Sequence, residues 1–182
     1  EESKQIFSKI NDFIEYAHKE NVFDDFNTEI LLPYKQSTLG PFISTGDLNN
    51  DGKEDIFIGG AHRQEAKIFL SNDNELIEKS NESFEIDSKN EDMESIFIDI
   101  DNDNDLDLYV VSGGNEFNNR SIELADRIYL NDGKGNFKRD TQEDLQNYTI
   151  SGKTVTEIDY DNDGDSDIII GNRIQTKKYP IH

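Results

Sequence analysis

Cysteine is absent from the 182-residue chain. That excludes disulfides and thiolate metal sites, and it fits an exported protein and a cytosolic one equally well. Basic residues are scarce, with 18 Lys and Arg against 40 Asp and Glu, for a net charge of −22 at pH 7. No basic patch exists to neutralise phosphates or to meet an anionic membrane, so nucleic acid is disfavoured as a partner. Apolar residues make up only 33%. No run approaches a membrane span, and the N-terminus shows no signal-peptide core. The chain opens on Glu1 rather than Met, as expected of a mature form or an excerpt. Catalytic signatures are missing too: there is no nucleophile elbow, no Gly-rich phosphate loop and no His-x-x-x-His. His18, His62 and His182 are the only histidines, and none stands in a ligand spacing. Spare carboxylates for glycoside hydrolysis do abound, so an enzyme is not excluded on composition, although a non-enzymatic reading is preferred.

Few apolar residues combined with high net charge is the signature of disorder. The location of the acids argues otherwise. Segments 47–55, 99–107 and 159–167 hold four, five and five acidic residues and one lysine, so they carry −13 of the −22. Charge concentrated in this way implies a cation. The segments also repeat. "GDLNNDGKEDIFIGGA" (46–61), "IDIDNDNDLDLYVVSGG" (98–114) and "IDYDNDGDSDIIIGN" (158–172) align without gaps on Asp47, Asp99 and Asp159, with periods of 52 and 60 residues. An apolar segment precedes each acidic loop and a β-branched run follows it. The first two units then add two short apolar runs about a turn, of which "NDGKGN" (131–136) is a strong hairpin signal.

Each unit therefore reads as strand, acidic loop, strand, hairpin, strand. About four strands in about 50–60 residues is the period of a propeller blade. The expected fold is all-β: an incomplete β-propeller of about three blades, each of roughly four antiparallel strands, with the acidic loop between strands 1 and 2. The expected boundaries are 1–40 for an N-terminal lead-in, 41–90 and 91–149 for two blades, and 150–182 for a partial third. Three blades do not close a ring. The expected partners are thus the remaining blades of a longer chain, or further copies through self-association.

The acidic loop has the form D-x-D-x-D-G-x-x-D. Side chains at positions 1, 3 and 5 can converge on one point, position 7 offers a backbone carbonyl, and the aspartate at position 9 closes the shell. Hard oxygen ligands in this number favour calcium over magnesium and zinc. The first loop supplies Asp47, Asn49, Asp51 and Asp55 with the Lys53 carbonyl. The second supplies Asp99, Asp101, Asp103 and Asp107 with the Asp105 carbonyl. The third supplies Asp159, Asp161, Asp163 and Asp167 with the Asp165 carbonyl. Up to three calcium ions are expected. The turn at position 6 calls for a left-handed residue, met by Gly52, Asn104 and Gly164. An EF-hand would need Glu at position 12 and flanking helices, whereas Ile58, Val110 and Ile170 stand there.

These units resemble the FG-GAP/VCBS repeat, the integrin-α-like propeller blade with a calcium loop between its first two strands. The Phe-Gly and Gly-Ala-Pro that name the family are not intact, and "GGA" (59–61) is the nearest remnant. More narrowly, "HKENVFDDFNTEILLPYKQSTLGP" (18–41), "VVSGGNEF" (110–117) and "RIYLNDGKGNF" (127–137) look like bacterial exported proteins of ASPIC/UnbV-type architecture. The resemblance implies an extracytoplasmic location, often with lipid anchoring, and no established catalytic residues. In the lead-in, Ile6, Ile10, Phe13, Ile14 and Ala17 keep a helical period, while the family likeness implies extended chain there. Tyr109, Tyr129, Phe57 and Phe69 read as core rather than as a sugar platform. The polar stretch "SGGNEFNNRS" (112–121) is the expected ligand-contacting loop. Two functions follow: a calcium-stabilised scaffold that recognises protein or glycan, or part of an exported polysaccharide-active enzyme.

Overall fold

The computed structural model describes residues 14–73, 75–141 and 143–179. Four strands, β1 (Ile43–Gly46), β2 (Asp55–Ile58), β3 (Lys67–Asn72) and β4 (Glu75–Lys79), form one antiparallel sheet in sequence order. A second sheet repeats the order with β5 (Asp92–Ile98), β6 (Asp107–Ser112), β7 (Arg127–Leu130) and β8 (Lys138–Arg139). The third pairs β9 (Ser151–Ile158) with β10 (Asp167–Ile174). The sheets are those of an incomplete propeller, and no barrel closes among the described residues. Short helices α1 (Glu82–Ile86) and α2 (Glu143–Gln146), which the repeat pattern does not announce, lie between one sheet and the next.

The leading strands lie side by side, β1 against β5 and β5 against β9. Ser44 Oγ donates to the Ser95 carbonyl at 2.7 Å, and the Val155 N–H donates to Glu94 at 3.0 Å. Period-2 alternation then assigns the apolar side chains to the two gaps between sheets. Leu108 and Val110 of β6 point toward the first sheet and join Leu48, Phe57, Ile68, Phe84, Tyr129 and Phe137. Tyr109 and Val111 point the other way, joining Met93, Ile128 and Val155 with Ile168 and Ile170 of β10. Being covered on both faces, β6 is buried at every position, which is why its central run Leu108–Val111 is apolar without alternation. The four strand aromatics singled out from sequence, Phe57, Phe69, Tyr109 and Tyr129, are all buried.

Charge crosses the same gap. Arg127 is buried and donates to Asp92, to Ser112 Oγ at 3.1 Å and to Tyr129 Oη at 3.2 Å. Asp92 in turn accepts the Gly60 N–H of the first sheet at 2.7 Å, and Tyr129 donates to Asp87 at 2.9 Å. Asp92 and the neighbouring Asp87 keep the guanidinium charged despite its burial.

Ile6, Ile10 and Phe13, where the helical period of the lead-in begins, lie outside the described residues, as does His182. From Ile14 to Asp24 the chain has no helix, and the first turn of one is a 3-10 turn at Asp25–Asn27. The period fails in this described part because the lead-in spends backbone groups on the connection between β2 and β3. The Lys19 N–H donates to Gln64 at 2.8 Å, and Gln64 Nε2 returns a bond to the Ala17 carbonyl at 2.9 Å.

Candidate metal centres

Each acidic loop joins the first two strands of its sheet, β1–β2, β5–β6 and β9–β10. The loop folds on its own carboxylates. Asp47 accepts the N–H groups of Asp51 at 3.0 Å and Gly52 at 2.8 Å; Asp99 accepts those of Asp103 at 3.1 Å and Asn104 at 3.0 Å. Position 5 caps the residue two further on, with the Lys53 N–H on Asp51 at 3.0 Å, Asp105 on Asp103 at 3.1 Å and Asp165 on Asp163 at 2.9 Å. Gly52, Asn104 and Gly164 at position 6 have φ of 83°, 71° and 94°, as the turn requires.

Position 4 is left-handed as well: Asn50, Asn102 and Asn162 have φ of 59°, 61° and 60°. The sequence carried that signal, since asparagine stands at the same register in all three copies and is the side chain that best tolerates this conformation.

Position 9 does more than close a shell. Asp55 is fully buried and accepts Leu48 N–H at 2.9 Å and Ser71 N–H at 2.7 Å. Asp107 accepts Ile100 N–H at 2.9 Å and Asn131 N–H at 2.8 Å. Each thus ties the loop to the third strand of its sheet. Asp167 accepts Tyr160 N–H at 2.9 Å. Burial raises the carboxyls of Asp55 and Asp107, against the lowering effect of those N–H groups.

In the second loop Asp99, Asp101 and Asp107 bring one carboxylate oxygen each to within 4.8 Å of one another, and in the third Asp159, Asp161 and Asp167 do the same. Oxygens two calcium–oxygen bonds apart stand at about this distance. These residues fit a hard cation, because every donor is an oxygen. Asp103 and Asp163 stand outside the two clusters. The first loop has an amide, Asn49, at position 3, and its Oδ1 accepts the Asp51 N–H at 3.0 Å. Lys53 sends its ammonium away from the loop, to Asp73 at 3.0 Å.

Asp105 shows what happens to a loop acid drawn inward. Only 9% exposed, it is pushed up to about 6, first by burial and then by Asp103 and Asp107. The polar stretch 112–121 divides: Ser112, Gly113, Gly114, Asn115 and Phe117 are buried, and Asn118, Asn119 and Arg120 are exposed. Its first half is interior structure, which its polar composition conceals.

The profile of the FG-GAP-like repeat matches residues 47–110 and 99–170, together more than half of the chain. Each window begins at position 1 of an acidic loop and ends inside the strand after the next loop. The match bears on the repeat and not on the narrower ASPIC/UnbV-type architecture. A comparison with curated proteins finds no match.

Proposed function

Because the chain belongs to the FG-GAP-like repeat family, we propose that it is a calcium-stabilised propeller segment serving as a structural or recognition scaffold of an extracytoplasmic protein. The carrying observation is the convergence of Asp99, Asp101 and Asp107, repeated by Asp159, Asp161 and Asp167, to within 4.8 Å. When bound, the metal would supply positive charge to carboxylates that otherwise repel. The residues of the chain do the rest: positions 1, 3 and 9 would supply side-chain oxygens and position 7 a carbonyl, while position 5 caps the turn and the left-handed residues hold it. Asp47, Asn49, Asp51, Lys53 and Asp55 form the matching set in the first loop. Typical extracellular use of the family supports the location, and no helix among the described residues is long and apolar enough to cross a membrane. Protein or glycan is the ligand class proposed for the scaffold; activity on polysaccharide is the second reading, which the spare carboxylates keep open.

Calorimetric titration of chelator-stripped protein tests the calcium reading. Calcium should bind with magnesium much weaker, and Asp99→Asn with Asp159→Asn should remove two equivalents. A flat trace on folded protein contradicts it. Ligand charge tunes affinity, so the first loop, with Asn49 in place of an acid, should fill last.

A further inference from the structure

We propose that the lead-in is a strap: residues 16–37 cross the ends of β2, β6 and β10 in turn and hold the third sheet to the other two. Strand direction sets the place. Each second strand starts at its acidic loop and runs away from it, so the residues just past β2, β6 and β10 lie at the ends of the sheets remote from the candidate metal centres. The lead-in meets all three there. It does so with or without metal in the loops.

Tyr16 Oη donates to the Gly59 carbonyl at 3.4 Å and the Lys19 N–H donates to Gln64 at 2.8 Å, both just past β2. Asp25 and Glu29 come next. Both are buried, and they share Asn115, buried just past β6. Asn115 Nδ2 donates to Asp25 Oδ1 at 3.0 Å and to Glu29 Oε2 at 2.7 Å. Glu29 Oε1 accepts the Tyr179 N–H at 2.7 Å, beyond the end of β10 and 150 residues along the chain. The Arg173 guanidinium of β10 then sits over the Tyr34 ring, 4.8 Å from its centre. The strap is also closed on itself, because Asp25 accepts the Gln36 N–H at 3.2 Å and the Ser37 hydroxyl at 2.6 Å.

All four carboxylate oxygens of Asp25 and Glu29 thus have a donor, drawn from the strap itself, from the end of β6 and from the tail of β10. Hydrogen bonds to carboxylates are the stronger kind, and a donor withdrawn from a buried one leaves a charge without its partner. In an array of stacked units each touches only its neighbours, and a terminal unit frays first. The third sheet is such a unit, with two strands and an outer edge that no strand among the described residues covers. It cannot peel away without taking the Tyr179 N–H from Glu29 and Arg173 from Tyr34. The chain runs on from the strap into β1, so those contacts tie the last sheet to the first. A closed ring gets that link from its geometry; this open array gets it from the lead-in.

Hydrogen exchange of the β10 amides in the full chain, read by mass spectrometry in chelator and again in calcium, tests the strap. Tyr179→Pro removes the N–H that Glu29 accepts and should speed β10 exchange by about tenfold or more, as the loss of one hydrogen bond to a buried carboxylate implies. Tyr179→Ala keeps that N–H and should exchange like the wild type. Asn115→Ala lies at the end of the second sheet, yet it should also speed β10, because it frees Glu29. Adding Tyr179→Pro to it should bring little further rise, since both act through the same carboxylate. Unchanged β10 exchange in Tyr179→Pro, an equal rise in Tyr179→Ala, or fully additive effects in the double variant overturns the proposal. Should Asn115→Ala not fold, the two Tyr179 variants decide.

Discussion

At the scale of single residues, the acidic loops set an acid that can only ligate beside one that also staples the backbone. Asp101 accepts no hydrogen bond from the described residues, and it converges on Asp99 and Asp107. Its carboxylate therefore repels its neighbours unless a cation is present. Asp101→Asn should melt at or above the wild type in chelator and below it in calcium. One site at tenfold saturation contributes about 1.4 kcal/mol, or roughly 3–6 °C in a chain of this size. Asp55 behaves oppositely. Both its oxygens take N–H groups inside the protein, so Asp55→Asn sets an amide NH₂ against one of them and should cost about 1–3 kcal/mol with or without calcium. Thermal melts in the two buffers check both outcomes.

Asp126 gives a pH-dependent outcome away from any metal ligand. Burial pushes its carboxyl up to about 6, although Ser112 N–H at 2.8 Å and Tyr109 Oη at 2.9 Å both donate to it. A raised carboxyl holds its proton longer when folded than when unfolded, so it subtracts stability as pH rises from about 4 to about 6. Asp126→Asn lacks that dependence. Between pH 4 and pH 7 the variant should gain on the wild type by about 2–3 kcal/mol; equal slopes in urea-midpoint measurements would contradict this.

At the scale of elements, the buried Arg127 network fastens the second sheet to the first. Arg127→Met removes the partner of Asp92 and leaves that charge buried, so it should cost about 3–5 kcal/mol. Asp92→Asn in the same chain should recover part of it, because the amide oxygen can still accept the Gly60 N–H. A double-mutant cycle on the melting free energies checks the coupling. None of this was legible beforehand: Arg127 opens the run "RIYL" and reads as a surface charge at a strand end. The strands themselves were legible, because alternation and turn residues are local. The acidic loops were legible because their chemistry repeats in register. The burial of Asn115 was not, since it arises only when the first half of 112–121 folds onto the lead-in, where its amide donates to Asp25 and Glu29. The lead-in was left open between helix and extended chain, and in its described part the backbone bonds Gln64 instead of forming a helix.

At the scale of the whole molecule, the third sheet leaves apolar surface open. Ile168 and Ile170 pack inward, but Ile169 is 48% exposed, with Ile158 and Tyr160 beside it at 40% and 77%. The outer edge of β10 pairs with no strand among the described residues. Such an edge recruits another chain or another blade, and self-association is the expected outcome. Sedimentation at several concentrations should show it, with Ile169→Lys reducing it; a strictly monomeric species at every concentration would contradict it.

The central claim is that calcium in the acidic loops holds the strands that follow them. Three loop sites at tenfold saturation add about 4 kcal/mol, a large share of a domain's ~5–15 kcal/mol. The direct measurement is the melting temperature in excess chelator and in calcium, for the wild type and for the chain carrying Asp47→Asn, Asp99→Asn and Asp159→Asn. Calcium should raise the wild type by roughly 8–16 °C and the triple variant by much less. Equal rises in the two chains, or a wild-type curve that chelator leaves unmoved, would mean that the aspartates are solvated turns and that the account is wrong.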